Sequence, residues 1–215
     1  KKVQEVKKNT LISNGLVDED IKLLSLSLNE EQMLSKMGEI LPKYDPNVLD
    51  HLEKILVIAL EKKFSKVVNY LLESGIDINF YDHNTPLLKF CKENKFDIVK
   101  YLLEELGADP NVYLGSGGQL ITQMGKEKNL SSELIKLLLN NGVNIFKRDR
   151  LNKSFFDYFK EYNTKTDSKL VEIIESFELF EAKLNSMSQN SEVSRNLINS
   201  FCSENKFSEK QKYML

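Results

Sequence analysis

The segment "YLLESGIDIN", beginning at Tyr70, returns as "YLLEELGADPN" at Tyr101. Self-similarity at this interval is the mark of stacked supersecondary units, each too small to bury its apolar face alone. The apolar residues of each copy recur at helical spacing: Val67, Val68, Leu71 and Leu72 in the first, Ile98, Val99, Leu102 and Leu103 in the second. "SSELIKLLLNNG" repeats the pattern with Leu134, Ile135, Leu138 and Leu139. A glycine closes each one (Gly75, Gly107, Gly142), where a helix C-terminus takes a left-handed residue.

A shorter apolar helix precedes each of these: "KILVIALEK", "TPLLKFCKEN" and "QLITQMGKE", with "SFFDYFKEY" opening a fourth unit. Thr85-Pro86 shows how a unit starts, with Thr as cap and Pro in the first turn, where its missing N–H costs nothing. No run of alternating β-branched residues is long enough for a sheet strand, so the chain is predicted to be mostly helical. The unit is helix, turn, helix, glycine, loop.

With a period of about 33 residues, this grammar resembles the ankyrin repeat. The resemblance is carried by Thr85-Pro86-Leu87, by "IVKYLLEELGADPN", and by "GIDIN" and "GVNIF". It covers about residues 45 to 160, with 80–107 nearest the family pattern. Lys54-Ile55-Leu56 and Gln119-Leu120-Ile121 stand where the family has Thr-Pro-Leu, Leu106 is an extra residue, and the 124–134 connection is longer than the family's. The loop from Asn79 to Thr85 is shorter than the usual hairpin. The resemblance implies an all-α fold, an ankyrin-repeat solenoid of three to four helix-turn-helix repeats with hairpin loops over 45–162.

Helical caps or extensions are expected at 1–44 and 163–215, because a terminal repeat must present a polar outer face. "VDEDIKLLSLSLNEEQMLSKMGEIL" has an acidic helix start and a second start at "NEEQM", and "SKLVEIIESFELFEAKLNSM" is amphipathic. In the last stretch Val193, Leu197, Ile198 and Phe201 recur at helical spacing, which suits one more cap helix or the start of a further region. The first residue is Lys and no apolar signal-peptide core follows "KKVQEVKK", so the chain is expected to be a piece of a longer protein.

Composition narrows the function. The 30 basic and 32 acidic side chains are interspersed, leaving net charge −2 and no broad cationic field for nucleic acid. No apolar run approaches the roughly 20 residues needed to cross a bilayer, so a soluble protein is expected, without membrane partners. Cys91 and Cys202 lie far apart without metal-site spacing, so neither a disulfide nor a zinc site is indicated and a reducing compartment is the default. No cofactor and no metal is expected.

Catalytic constellations are equally thin. His83 and Cys91 can be written as a dyad, yet Cys91 follows Phe90 in an inner helix where a small buried residue belongs, and the packing reading is adopted. "LGSGGQL" at 114–120 precedes a helix but lacks the Gly-Lys-Ser/Thr ending of a phosphate loop, so it is read as a hairpin. The chain is not expected to be an enzyme.

What remains is a surface. Equivalent repeat positions line up in a stack, and the finger residues are counted as Phe80-Tyr81-Asp82, Val112-Tyr113-Leu114 and Lys147-Arg148-Asp149. The middle column, Tyr81, Tyr113 and Arg148, consists of the residue types most enriched at binding hot spots. Lys89, Lys92, Gln123, Lys126 and Tyr158 are expected to be exposed on the concave side of the inner helices. With Lys147, Arg148 and Arg150 they make one face locally basic, and Leu114 and His83 are counted with it. This predicts a protein partner, with an acidic segment, for a chain that is monomeric alone. The alternatives are a substrate-recruiting arm of a larger enzyme and a self-assembling module. The Lys- and Asn-rich bias fits an AT-rich intracellular bacterium, large virus or protozoan, so the expected place is the cytoplasm, or a host cell for a secreted effector.

Overall fold

The computed structural model describes residues 17–44, 52–80, 85–114, 117–162, 168–186 and 191–204. Among them lie eleven α-helices and no strand. The chain divides into two compact units, Lys1–Phe80 and Tyr81–Leu215.

In the first unit, α1 (Asp18–Ser25) and α2 (Glu30–Ile40) form one helix pair, and α3 (Leu52–Lys62) and α4 (Ser65–Glu73) a second. The start at "NEEQM" is made by Asn29, whose side chain accepts a hydrogen bond from Gln32 N at 2.8 Å. Helix α4 is preceded by Phe64, which has no capping oxygen; the Glu30 carboxylate accepts from Lys66 N and Val67 N instead. Leu24, Met33, Met37, Leu56, Val67 and Leu71 are buried and form the core between the pairs.

The second unit holds α5 (Pro86–Lys92), α6 (Phe96–Glu104), α7 (Leu120–Met124), α8 (Ser132–Asn140), α9 (Phe155–Tyr162), α10 (Ser168–Ser186) and α11 (Ser191–Glu204). Thr85 caps α5 through Leu88 N at 3.2 Å, with Pro86 as the first helical residue. The turn from α5 to α6 repeats that from α3 to α4. Asn94 (φ 53) and Lys63 (φ 59) are both left-handed, and Lys95 N and Phe64 N bond back to Phe90 O and Ala59 O at 3.0 and 2.9 Å.

The glycine stops are of one kind. Gly75 N bonds Leu72 O and Ile76 N bonds Leu71 O, and Gly142 and Val143 do the same to Leu139 and Leu138. Gly75 sits at φ 96 with open space where a side chain would go, so its need for glycine is purely conformational. The additional Leu106 stretches the second stop: Ala108 N reaches Leu102 O, one residue further back than in the other two.

Helix α10 turns Leu170, Ile174, Phe177 and Phe180 inward. Phe146 lies 5.9 Å from both Phe156 and Phe177, and Phe180 stacks on Phe201 of α11 at 4.1 Å. These rings join the loop at Phe146 to the two C-terminal helices. Among the described residues no helix is long and apolar enough to cross a membrane.

Candidate functional site

The best-defined surface feature is a pair of fingers in the second unit. The first begins with an Asx turn in which Asp109 Oδ1 accepts from Asn111 N at 2.8 Å, as Asp77 does from Asn79 N. Asn111 then ties its loop to the next one: its Oδ1 accepts from Asn144 N and its Nδ2 donates to Gly142 O, both at 2.8 Å. Beyond it Tyr113 forms an antiparallel bridge with Gln119, and Leu114 N bonds Gly118 O at 2.8 Å. Side chains alternate across such extended backbone. Tyr113 therefore points out, 55% exposed, and Leu114 points in at 1%.

The second finger is organised by Asp149. Its carboxylate accepts from Leu151 N at 2.9 Å, Lys153 N at 3.1 Å and the Tyr158 hydroxyl at 2.6 Å. Burial pushes the Asp149 carboxyl up, but the hydrogen bonds from Tyr158, Lys153 and Leu151 outweigh it and hold the group below its ordinary value. The same bond to Asp149, with burial, pushes the Tyr158 hydroxyl up to about 12. Lys126 Nζ and Lys153 Nζ lie 4.3 and 5.1 Å from the centre of the Tyr158 ring.

The two fingers meet at Arg150. Its backbone N donates to Gly117 O at 3.1 Å and its Nε donates to the Tyr113 hydroxyl at 3.0 Å. Gly117, at φ 96, makes room for this: a Cβ there would fall 2.5 Å from Arg150 Cδ. Sequence counting pairs Tyr113 with Arg148, whereas in the structure the partner of Tyr113 is Arg150.

Arg148 is held elsewhere, by Asn152 O at 3.0 Å, Asp157 at 3.2 Å and Glu181 of α10 at 3.6 Å. Its contact with Asp157 contributes to the lowered carboxyl of that residue, after the Ser154 backbone N–H and against burial. Other cations of the expected basic face are matched too. Lys89 pairs with Glu93 at 2.7 Å and Lys92 with Glu127 at 3.6 Å. Lys147 is exposed, while Lys126 and Gln123 are half-buried. Tyr81 and His83 lie outside the described residues.

Two expectations are corrected. Leu114 is a packing residue, because the bridge at Tyr113 turns it into the unit. Tyr158, expected on the exposed side, is 3% exposed. The cause is Gly125: a Cβ there would lie 2.8 Å from Phe155 O and 3.0 Å from Tyr158 Cβ, so its absence lets α9 close on the end of α7. Sequence reasoning counted Asp149 as a finger residue without giving it a role, and missed Leu151, 74% exposed beside Arg150. The Asp-x-Leu-Asn string after Arg148 carries a turn signal that points to Asp149.

Cys91 is unsuited to nucleophilic chemistry. It is fully buried, and burial pushes its thiol well up, away from the reactive thiolate. The described residues of the glycine-rich stretch, Leu114 and 117–119, pair as a hairpin does. Among the described residues no cluster of His, Cys, Asp or Glu could hold a metal ion.

A family model described as ankyrin repeats, in three copies, matches residues 21–113. Residues 21–113 carry ankyrin repeats. The matched span begins within α1 and takes in α2 and the pairs α3–α4 and α5–α6; α1 and α2 have no legible signature in sequence. The Tyr113 finger ends that span, and the Arg150 finger lies beyond it. Ankyrin repeats are generally modules that bind other proteins and are typically non-catalytic. No curated protein matches the chain.

Proposed function

We propose that this ankyrin-repeat chain holds a protein partner, without catalysis, on the surface made by its finger tips and inner helices. The observation that carries the reading is Tyr113: a large aromatic, more than half exposed at a finger tip, yet fixed by its hydroxyl to Arg150. Tyr and Arg combine contact area with a polar head, and a side chain already held in place loses little entropy on binding. Gln123, Lys126 and Lys147 are counted to the same surface, and Leu151, 74% exposed, adds apolar area. The exposed positive charges suit a partner segment that is acidic. The reading includes a cytoplasmic place for this binding, or a host cell for a secreted effector, which the Lys- and Asn-rich bias suits.

Affinity purification from the native cell, followed by identification of the captured proteins, supplies the partner. With purified components, the double variant Tyr113→Ala/Arg150→Ala should weaken binding by about a hundredfold, as expected for two hot-spot side chains. Unchanged affinity in a folded double variant places the partner on another surface.

A further inference from the structure

Arg150 is held in place by two hydrogen bonds but not neutralised. Lys89, Lys92, Arg148 and Lys153 each have a carboxylate within 4.0 Å. Among the described residues Arg150 has none; its charged head is bonded through Nε to a neutral hydroxyl, that of Tyr113. The adjacent Asp149 does not serve, because its carboxylate is directed to Tyr158 and to the N–H groups of Leu151 and Lys153. The seat of the side chain is specific: Gly117 leaves the space, Gly117 O holds the Arg150 backbone, and Tyr113 takes the Nε. With Nε so engaged, the two terminal nitrogens form the free edge of the guanidinium. That edge is the fork that receives a carboxylate through two parallel hydrogen bonds.

We propose that Arg150 is the anchor for one carboxylate of the partner, an Asp or Glu side chain. A large apolar neighbour on the same peptide packs on the exposed ring of Tyr113 and on Leu151, which is 74% exposed. This rests on the protein-binding reading above and names the chemistry of the segment bound. A phosphate dianion is the weaker fit. Phosphate sites are built from clusters of arginines, and the nearby Arg148 is committed to Asp157 and Glu181.

The test uses a library of random short peptides, displayed and sorted against the purified chain. Enriched peptides should carry Asp or Glu beside a large apolar residue. A synthetic peptide of that sequence should bind about tenfold or more weakly to Arg150→Ala and also to Arg150→Lys, which keeps the charge but not the fork. Lys136→Ala, on the exposed side of α8, should leave binding unchanged, and thermal unfolding confirms that each variant is folded. Amidation of the acid should cost a similar factor in the wild type and nothing further in Arg150→Ala, the signature of a direct pair. Enriched peptides without an acid, or binding that survives Arg150→Ala, overturn the carboxylate anchor and leave the protein-binding reading standing. A phosphoserine version that binds about tenfold more tightly than the acid overturns it in favour of phosphate. No enrichment over a library sorted on the bare support removes both readings.

Discussion

Asn111 does with one side chain what a repeat stack needs at every step, since its amide accepts from the backbone of the next loop and donates to it. Replacing it with Ala leaves Asn144 N and Gly142 O without that partner in a half-buried position. Asn111→Ala should therefore lower unfolding stability by about 1–3 kcal/mol, read from the urea midpoint at unchanged m-value. Asn111→Asp keeps the acceptor and loses the donor, and should fall between the two. Asp149 works within one loop and is titratable. Its folded-state pKa lies below its unfolded value of about 3.8, so the stability it lends is full above that value and drains away as pH falls through the depressed one. Asp157 acts in the same direction. Urea midpoints of wild type and Asp149→Asn, compared from neutral pH downward, should converge at acid pH; a constant gap would mean that Asp149 acts through shape alone.

At the scale of elements, what could be read ahead of the structure was whatever is local. The ends of α4, α6 and α8 follow from apolar periodicity and a glycine stop a few residues apart, and the start of α5 from adjacent Thr85 and Pro86. What could not be read joins distant segments: Glu30 capping α4, or Gly125 admitting α9. A glycine in sequence announces neither its φ nor its neighbours, and Gly125, just past the end of α7, and Gly38, within α2, show the difference. Gly125 faces the backbone of Phe155, so Gly125→Ala should push α9 outward and cost about 1–3 kcal/mol. Gly38 lies exposed within α2 with nothing within 4 Å of a Cβ, so Gly38→Ala should stabilise by about 0.8–1 kcal/mol through helix propensity. Chemical denaturation of the two variants side by side tests the contrast, because the same substitution must give opposite signs.

Across the molecule, repetition made Tyr113 legible as a finger residue and misled at the next finger. Asn111 and Asn144 stand one period apart and carry the register, and the assignment of Arg148 overshoots that register by two residues. The residue two beyond Asn144 is Phe146, which lies among aromatic rings rather than in solvent. That reassignment also says where the last repeat finds its covering. Phe146, Phe156 and Phe177 share one cluster, so α10 supplies to the final loop the apolar contact that a following repeat would supply inside the stack. Phe177 is 2% exposed, and Phe177→Ala should cost about 3–5 kcal/mol. Because a stack is held by nearest-neighbour contacts, the loss should be graded along the second unit. Hydrogen exchange followed by mass spectrometry should show amides of α8, α9 and α10 losing most protection and those of α5 and α6 the least. An equal loss in all of them would show that the unit opens as one cooperative block, with α10 part of a single core rather than the cover of one end.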